Sequence, residues 1–485
     1  MLMDTWQIIS PFIIPIYYLA ILAIVANMLL ENRNPLKTHS YFLVMLLLPV
    51  IGMIIYLFFG QQFRKQKIFS KKKLIHSAFG KAYVDKFLNP NFKASIPRDP
   101  EAANFDKLTT FLSHDLSPLS SNNTVQILKN GEEKFPLLIQ ALREAKSHIH
   151  IEYYIYSDDD IGQQVSEILI ERAKAGVEVR LLVDGVGSFK LKRKFFKTLE
   201  AAGIQVHVFM PVLFPLFTSK INYRDHRKIV VIDGKKGFTG GLNLDDRYLN
   251  NGKHELFWRD THLMIKGEAV KSLQFLFLVN WMFVSKEVFD ATEKYFPKIE
   301  LNENKYVQIN ASGPDWELAS IMDSFFLGIN SAKKNIRIVT PYFIPNESIL
   351  QAVIMAARSG IDVEIMLPMK SDSWIVQSAS MSLLESLLKS NIKVYFYTKG
   401  FVHSKVLTVD NYFSSVGTAN MDMRSFDLNY EVNTYMYNSE LANELNQQFE
   451  DDKKECIQIK LGDWQKRNLR KKLLESVARL LAPLL

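Results

Sequence analysis

Cysteine is nearly absent from this sequence, in which Cys456 is the single cysteine among 485 residues. One cysteine excludes an intrachain disulfide and fits a reducing compartment. Acidic residues are also in deficit, with 51 Asp and Glu against 59 Lys and Arg, so the formal net charge is +8. Such a charge favours anionic partners: nucleic acid, phosphate esters or an anionic membrane. The sequence contains no obvious cluster of carboxylates that would bind a metal, so we expect neither a metal nor another cofactor.

Charge is missing altogether from two stretches near the N-terminus, residues 8–30 and 41–59. The first is long enough to cross roughly 30 Å of hydrocarbon, and the second is nearly so. The pair predicts a transmembrane hairpin within residues 1–60. A signal peptide followed by a buried helix is the alternative, but neither a basic leading region nor a small-residue cleavage site is present. Six Lys and Arg follow within residues 64–73, which places both termini and the rest of the chain in the cytoplasm.

An internal repeat fills most of the remaining chain. Three pairs of similar segments recur in the same order, and they cover 141–156 with 328–343, 168–185 with 353–370, and 225–243 with 402–420. Each pair alternates a helix pattern with a strand pattern, which is typical of βαβ units in an α/β protein. We predict a basic connector over 61–110, a first lobe over 111–290 and a second lobe over 291–460.

The most specific signal is a motif that occurs once in each lobe. Histidine, lysine and aspartate recur at fixed spacing, and in both copies a glycine, a small residue and an asparagine follow. The residues are His226, Lys228, Asp233 and Asn243, then His403, Lys405, Asp410 and Asn420. On a strand, positions i and i+2 share a face, so each histidine should project beside its lysine. A lone pair of this kind is usually an ordinary surface pair, but two complete copies inside an independent repeat favour a catalytic site.

These residue types suit chemistry at phosphorus. One histidine can attack as a nucleophile while the other protonates the leaving oxygen, and lysines with asparagines can hold the negative charge on the remaining oxygens. A nucleophilic histidine also needs its second ring nitrogen fixed, usually by a carboxylate. Asp260 and Glu431, in strand-like segments downstream of the two motifs, are the candidates. Asp233 and Asp410 complete the motif, although their odd spacing from the histidines favours a turn-forming role.

At these residues the sequence resembles the phospholipase D superfamily, and specifically its bacterial cardiolipin synthases. The resemblance includes "NYRDHRKIVVIDG", "FWRDTH", "GFVHSKVLTVD" and "ANMDMRS". It implies an α/β fold of two pseudo-symmetric phospholipase D-like βαβ lobes, preceded by the N-terminal two-helix transmembrane hairpin, in a bacterial cell membrane. The sequence departs from many members at Gly240-Gly241, where Gly-Ser is common.

The activity that the resemblance implies is a metal-independent phosphatidyl transfer between two phosphatidylglycerols, giving cardiolipin and glycerol through a phosphohistidine. It places the motif histidines, lysines and asparagines in the active site, makes Asp260 and Glu431 the histidine-orienting acids, and favours His226 as nucleophile. Membrane phospholipids are then the partners, and nucleic acid is not expected. The motif alone leaves open a phospholipid hydrolase or a phosphatidylserine synthase. A non-catalytic scaffold would have lost one of the two motifs, yet both are complete.

The C-terminal residues 461–485 are predicted to form a basic amphipathic helix. Apolar residues recur at spacings of three and four, and five Lys and Arg crowd residues 466–472. This pattern suits an anionic lipid surface, and the alternative is a helix docked on the protein's own core.

Overall fold

The computed structural model of the chain describes residues 2–30, 35–48, 50–56, 62–87, 101–212, 219–299, 301, 303, 305–316 and 319–480. It divides into two units. The first contains residues 1–68 with 213–222, and the second contains residues 69–212 with 223–485.

The first unit is helical. Its helices are α1 (Leu2–Leu30), α2 (Pro35–Leu47) and α3 (Ile51–Ile55). Val50 has a φ of 66°, and this left-handed conformation separates α2 from α3 inside the second uncharged stretch. The Tyr17 hydroxyl donates to the Met45 carbonyl oxygen at 2.8 Å, which ties α1 to α2.

The predicted transmembrane hairpin is not confirmed. Among the described residues, none of the helices combines the length and the apolar character that a bilayer crossing requires.

The second unit begins within α4 (Gln62–Phe87), a helix that the predicted connector did not anticipate. Its inward face carries the buried Lys72, Phe79 and Tyr83 and the partly buried His76, at the spacing of one helix face. The Phe79 ring stacks on Phe275 with centroids 5.6 Å apart, and the Lys72 ammonium lies 3.7 Å from the Asp315 carboxylate. This part of the expected connector therefore belongs to the packed catalytic unit.

The first lobe is built on a seven-stranded sheet with strand order β1-β8-β6-β5-β2-β3-β4. Strands β2, β3 and β4 are parallel, and β1, β5, β6 and β8 add antiparallel pairs. The elements are α5 (Asp106–His114), β1 (Asn123–Lys129), α6 (Asn130–Arg143), β2 (His148–Tyr153), α7 (Asp160–Lys174), β3 (Glu178–Asp184), α8 (Arg193–Ala201), β4 (Gln205–Phe209), β5 (Lys228–Ile232), β6 (Lys236–Gly240), β7 (Phe257–Arg259), β8 (Thr261–Gly267) and α9 (Val270–Ser285).

The second lobe repeats this plan in an eight-stranded sheet with order β19-β13-β12-β10-β15-β16-β18-β9. Strands β10, β12 and β13 correspond to β2, β3 and β4. The elements are β9 (Tyr306–Ser312), α10 (Ser320–Asn330), β10 (Asn335–Val339), β11 (Phe343–Ile344), α11 (Glu347–Arg358), β12 (Asp362–Pro368), α12 (Trp374–Lys389), β13 (Lys393–Tyr397), β14 (Gly400–Val402), β15 (Val406–Val409), β16 (Phe413–Gly417), β17 (Met421–Asp422), α13 (Met423–Asp427), β18 (Glu431–Tyr437), α14 (Ser439–Lys453), β19 (Cys456–Ile459), α15 (Leu461–Gln465) and α16 (Leu469–Leu480). The predicted two-lobed α/β fold is confirmed.

The two lobes exchange elements. Helix α5 packs into the core of the second lobe, where Phe105 stacks on Phe413 with centroids 5.1 Å apart. Strand β7 of the first lobe pairs in parallel with β14 of the second. These exchanges hold the two lobes together as one unit. The predicted lobe boundaries did not include them.

The C-terminal segment forms two helices instead of one. A break at residues 466–468 separates α15 from α16. Helix α16 packs against α12 through Ala478, while its leucines at 469, 473, 474 and 480 stay exposed. Part of α16 is therefore docked on the protein's own core, while binding of the helix to an anionic lipid surface stays a prediction. Residues 481–485 of the prediction lie outside the described residues.

Candidate active site

Each motif histidine lies just before a strand. His226 precedes β5 and His403 precedes β15, so neither stands on a regular strand face as the spacing predicted. The reason is a backbone contact with the other lobe. The His226 N–H donates to the Tyr430 carbonyl oxygen at 2.9 Å, and the His403 N–H donates to the Arg259 carbonyl oxygen at 2.7 Å. The backbone of each histidine is therefore hydrogen-bonded to the lobe that does not contain it.

The two histidines meet their acids in a crossed arrangement. His226 Nδ1 lies 3.0 and 2.9 Å from the two carboxylate oxygens of Glu431, and His403 Nδ1 lies 2.8 Å from Asp260 Oδ2. The acid partners are the residues that follow Tyr430 and Arg259, so the same cross-lobe backbone contacts deliver both. With Nδ1–H donated to a carboxylate, the Nε2 lone pair of each ring is left for chemistry.

The two acids are held differently. Glu431 accepts further hydrogen bonds from Thr418 Oγ1 at 2.6 Å and from Asn429 Nδ2 at 3.2 Å. Asp260 accepts from the Thr261 N–H at 2.7 Å and packs directly on Gly241, where an added Cβ would lie 2.0 Å from Asp260 Oδ1. At Gly240-Gly241, a larger side chain at position 241 would therefore displace the acid from the position that it has here.

The motif lysines lie beside their histidines. Lys228 Nζ donates to the His226 carbonyl oxygen at 2.6 Å, and Lys405 Nζ donates to the His403 carbonyl oxygen at 2.5 Å. Burial lowers the pKa of Lys228 to about 7 and that of Lys405 to about 8, although Glu431 and Asp260 oppose the shift. These ammonium groups are poorly compensated until an anion arrives, which suits them to hold a phosphate.

The surroundings of the two imidazoles lower the pKa of each ring below its ordinary value. Burial lowers the pKa of His226 to about 4, against the opposing charge of Glu431. Burial followed by the charge of Lys405 lowers the pKa of His403 to about 4, and Asp260 opposes it. A neutral imidazole is the form that can attack phosphorus.

The two asparagines of the motif are buried. Asn243 Oδ1 accepts from the Ile155 N–H at 3.2 Å, and its amide donates to the Tyr248 hydroxyl at 2.8 Å. Asn420 Oδ1 is buried and has no hydrogen-bond partner among the described residues. A buried acceptor of this kind can take a proton from a substrate hydroxyl group.

Asp233 and Asp410 lie at the opposite ends of their strands from the histidines. The Asp233 carboxylate accepts from the backbone N–H groups of residues 146–148 at 2.7 to 3.2 Å. The Asp410 carboxylate accepts from those of residues 333–335 at 2.7 to 3.1 Å. Both aspartates have a positive φ, of 54° and 53°. They close the turn after the strand and tie it to the start of β2 or β10, so these contacts stabilise the fold and do not reach the reacting groups.

Four aromatic rings frame the histidines, and sequence reasoning gave them no role. The Tyr154 ring lies 4.9 Å from His226, and the Trp258, Phe401 and Tyr248 rings lie 5.5, 5.7 and 6.2 Å from His403. Tyr154 lies within the first repeated segment and Trp258 directly precedes the acid-bearing residues, so both had a sequence signal. The rings of Tyr248, Trp258 and Phe401 are buried, which excludes water beside His403 and strengthens electrostatic interactions there.

Comparison with known proteins gives the family. A sequence model described as "Cardiolipin synthase, PLD-like domain" matches residues 138–277 and 327–453, one match in each lobe. A second, described as "Phospholipase_D-nuclease N-terminal", matches residues 17–61. The chain is 44% identical over 459 residues to cardiolipin synthase 2 of Bacillus anthracis, covering 94% of this chain and 88% of the relative.

The chain belongs to the cardiolipin synthase family.

A second member of the family, the cardiolipin synthase of Halalkalibacterium halodurans, is 45% identical over 462 residues, covering 94% of this chain and 90% of the relative. A solved structure, the phosphatidylserine synthase of Haemophilus influenzae, matches with a TM-score of 0.58 at 15% identity, covering 78% of this chain and 100% of that one. This likeness shows the two-lobed fold. As a member of the cardiolipin synthase family, the chain is a phosphatidyltransferase.

Across the residues that the structure describes, no group of three or more His, Cys, Asp or Glu side chains is arranged to hold an ion.

Proposed function

We propose that the enzyme transfers the phosphatidyl group of one phosphatidylglycerol to a second, giving cardiolipin and glycerol through a phosphatidyl-histidine. The observation that carries the mechanism is the crossed pairing of His226 with Glu431 and of His403 with Asp260. This pairing orients two imidazoles, and a buried lysine lies beside each of them.

In the first half-reaction, His226 Nε2 forms a bond to phosphorus as the bond from phosphorus to the glycerol oxygen breaks. When the phosphodiester anion enters the site, the basicity of His403 rises and Nε2 takes up a proton from solvent. His403 Nε2 then gives this proton to the leaving oxygen. Lys228 and Lys405 hold the charge that develops on the non-bridging oxygens.

In the second half-reaction, the terminal hydroxyl of another phosphatidylglycerol attacks phosphorus and gives its proton to His403. The N–P bond breaks, and His226 is regenerated. Glycerol leaves in the first step and cardiolipin leaves in the second, so protons and charge balance over the cycle.

We assign the nucleophile to His226 because its acid is the more firmly placed. Glu431 meets Nδ1 with both oxygens and is fixed by Thr418 and Asn429, so it orients the ring for attack. Asp260 accepts fewer side-chain hydrogen bonds, and the remaining charge supports a proton on His403.

We further propose that residues 8–30 and 41–59 anchor the enzyme in the bacterial membrane as a hairpin, with the catalytic unit in the cytoplasm. Support comes from the exposed apolar side chains of the first unit, including Leu19, Leu22, Leu43 and Leu47. Many solvent-exposed leucines on one surface are typical of a surface that faces lipid.

The test is an assay of purified full-length protein with phosphatidylglycerol in detergent and EDTA. We expect cardiolipin and glycerol in equal amounts. His226→Ala and His403→Ala should each abolish turnover, while His114→Ala, at an exposed helix end, should not. Phosphatidic acid as the sole product would indicate a hydrolase. Phosphatidylserine formed from CDP-diacylglycerol and serine, without cardiolipin, would indicate the other alternative.

A further inference from the structure

Two loops lie at equivalent places in the two lobes, at the edge of the sheets where the histidines stand. The first mouth loop, residues 185–194, follows β3, and the second mouth loop, residues 369–374, follows β12. Strands β2 and β3 are parallel, as are β10 and β12, so in each lobe their carboxyl ends share one edge. In open α/β sheets this edge is where ligands bind.

The first mouth loop contacts the His226 side of the site. Ser188 Oγ donates to the Tyr154 carbonyl oxygen at 3.0 Å, and the Tyr154 ring contacts His226. Asp184, at the start of the loop, accepts from the Asp225 N–H at 2.9 Å, directly before that histidine.

The second mouth loop reaches the His403 side. Its exposed Asp372 accepts a hydrogen bond from the Tyr342 hydroxyl at 2.6 Å. Burial lowers the pKa of Lys405, and the Asp372 carboxylate is one of the acids that oppose the shift. The geometric link is Tyr342, whose hydroxyl donates to the exposed Asp372 and which directly precedes β11.

Both mouth loops expose an aromatic ring. The exposed fraction is 72% for Phe189 and 66% for Trp374, and Met369 is exposed beside the latter. A single exposed apolar residue is ordinary, but one large aromatic residue shortly after the equivalent strand of each lobe is not.

The same loops carry positive charge. Their exposed basic residues are Lys190, Lys192, Arg193, Lys194 and Lys370. Aromatic rings next to lysine and arginine are the composition that proteins use at the interface of anionic lipids.

Helix α16 extends this surface on the second lobe. Its Ala478 packs with Ala379, and Ile375 of α12 packs against the same cluster, so the end of α16 lies beside the first turns of α12, the helix that Trp374 begins. Leu473, Val477 and Leu480 remain exposed there.

We propose that the two mouth loops dock the active site on an anionic phospholipid bilayer, with Phe189 and Trp374 inserted among the headgroups and the basic residues paired with lipid phosphates. This inference rests on the proposed function, since it takes the bilayer as the source of both lipid substrates. It explains how the site can receive two lipids without extracting them into water.

The test compares activity on vesicles with activity in detergent micelles. With full-length protein, Phe189→Ala combined with Trp374→Ala should lower the initial rate on phosphatidylglycerol vesicles by about tenfold or more, which corresponds to roughly 1.4 kcal/mol. In mixed micelles the loss should be less than about threefold, because the detergent presents lipid without a continuous interface. Met355→Ala, at an exposed apolar position on α11, is the matched control.

A second measurement reads the position of Trp374 directly. Brominated phosphatidylglycerol in proteoliposomes should quench the fluorescence that Trp374→Phe removes, and brominated phosphatidylcholine in neutral vesicles should quench it less. Equal losses on vesicles and micelles, or no quenching, would overturn the proposal. So would a loss of self-association in the double variant, because the loops would then join two copies of the chain. An enzyme without activity in micelles would instead contradict the proposed function.

Discussion

The crossed pairing can be tested by removing one charge at a time. Glu431→Gln keeps the size of the side chain and one carbonyl oxygen, but it removes the negative charge that meets His226 Nδ1 at 2.9 and 3.0 Å. Asp260→Asn does the same at His403. Because each acid belongs to the lobe opposite its histidine, each variant should disturb the imidazole of the other motif.

The expected loss follows from two effects. A hydrogen bond to a charged group contributes about 1.5–3 kcal/mol, which corresponds to a rate loss of roughly 10- to 150-fold. The amide that Glu431→Gln introduces can also donate to Nδ1 and thereby favour the tautomer with its proton on Nε2, the atom that must attack. The analogous exchange of carboxylate for amide in a hydrolase triad costs about 10⁴ in kcat. We therefore expect Glu431→Gln to lower kcat by between about 10² and 10⁴.

The assay has a kinetic and a spectroscopic part. Cardiolipin formation in detergent gives kcat, with Glu440→Gln as the control, since Glu440 is exposed and forms only a surface ion pair with Lys305. Nitrogen-15 NMR of labelled histidine rings identifies which imidazole each variant disturbs. Glu431→Gln should shift the His226 signals and leave those of His403 in place. The reverse assignment, or a kcat within about threefold of the unmodified enzyme, would refute the crossed arrangement.

Three further predictions concern the same site and its support. Thr418→Val removes the 2.6 Å hydrogen bond from the hydroxyl to Glu431, and it should lower kcat by about tenfold with KM little changed. An unchanged kcat would mean that this hydrogen bond does not contribute to catalysis. Asp410→Ala removes a carboxylate that accepts from three backbone N–H groups, at a residue with a positive φ. It should lower the free energy of unfolding, measured in urea, by about 2–4 kcal/mol, and Asp410→Asn should lower it less. A loss of turnover at full stability would instead assign Asp410 to the chemistry. Because the pKa values of Lys228 and Lys405 lie at about 7 and about 8, kcat/KM should fall as pH rises through this range and the ammonium charges are lost, and Lys228→Arg should move the fall to higher pH; a flat profile up to about pH 9 would show that lysine charge is not required.

Much of the fold could be predicted because helix and strand patterns depend on short segments of sequence. Helix and strand patterns recurred in the same order, and this predicted two α/β lobes, which the two sheets confirm. The helix over residues 62–87 was missed because its long basic run hides a buried stripe that begins at the charged residue Lys72. The placement of α5 in the core of the second lobe was equally hidden, since no local pattern identifies the sheet on which an amphipathic helix packs.

By itself, the sequence determined which residue types this protein can bring to a reaction. Two copies of histidine and lysine at fixed spacing, with Asp260 and Glu431 downstream, are groups suited to phosphoryl transfer once they come together. The tertiary structure alone decided the partnerships, because partners separated by 205 and 143 residues are chosen by proximity in space. It also moved the histidines off their strands, since their backbone N–H groups find acceptors in the opposite lobe. Residue types are fixed by covalent sequence, but hydrogen bonds between lobes exist only once both sheets have folded and met.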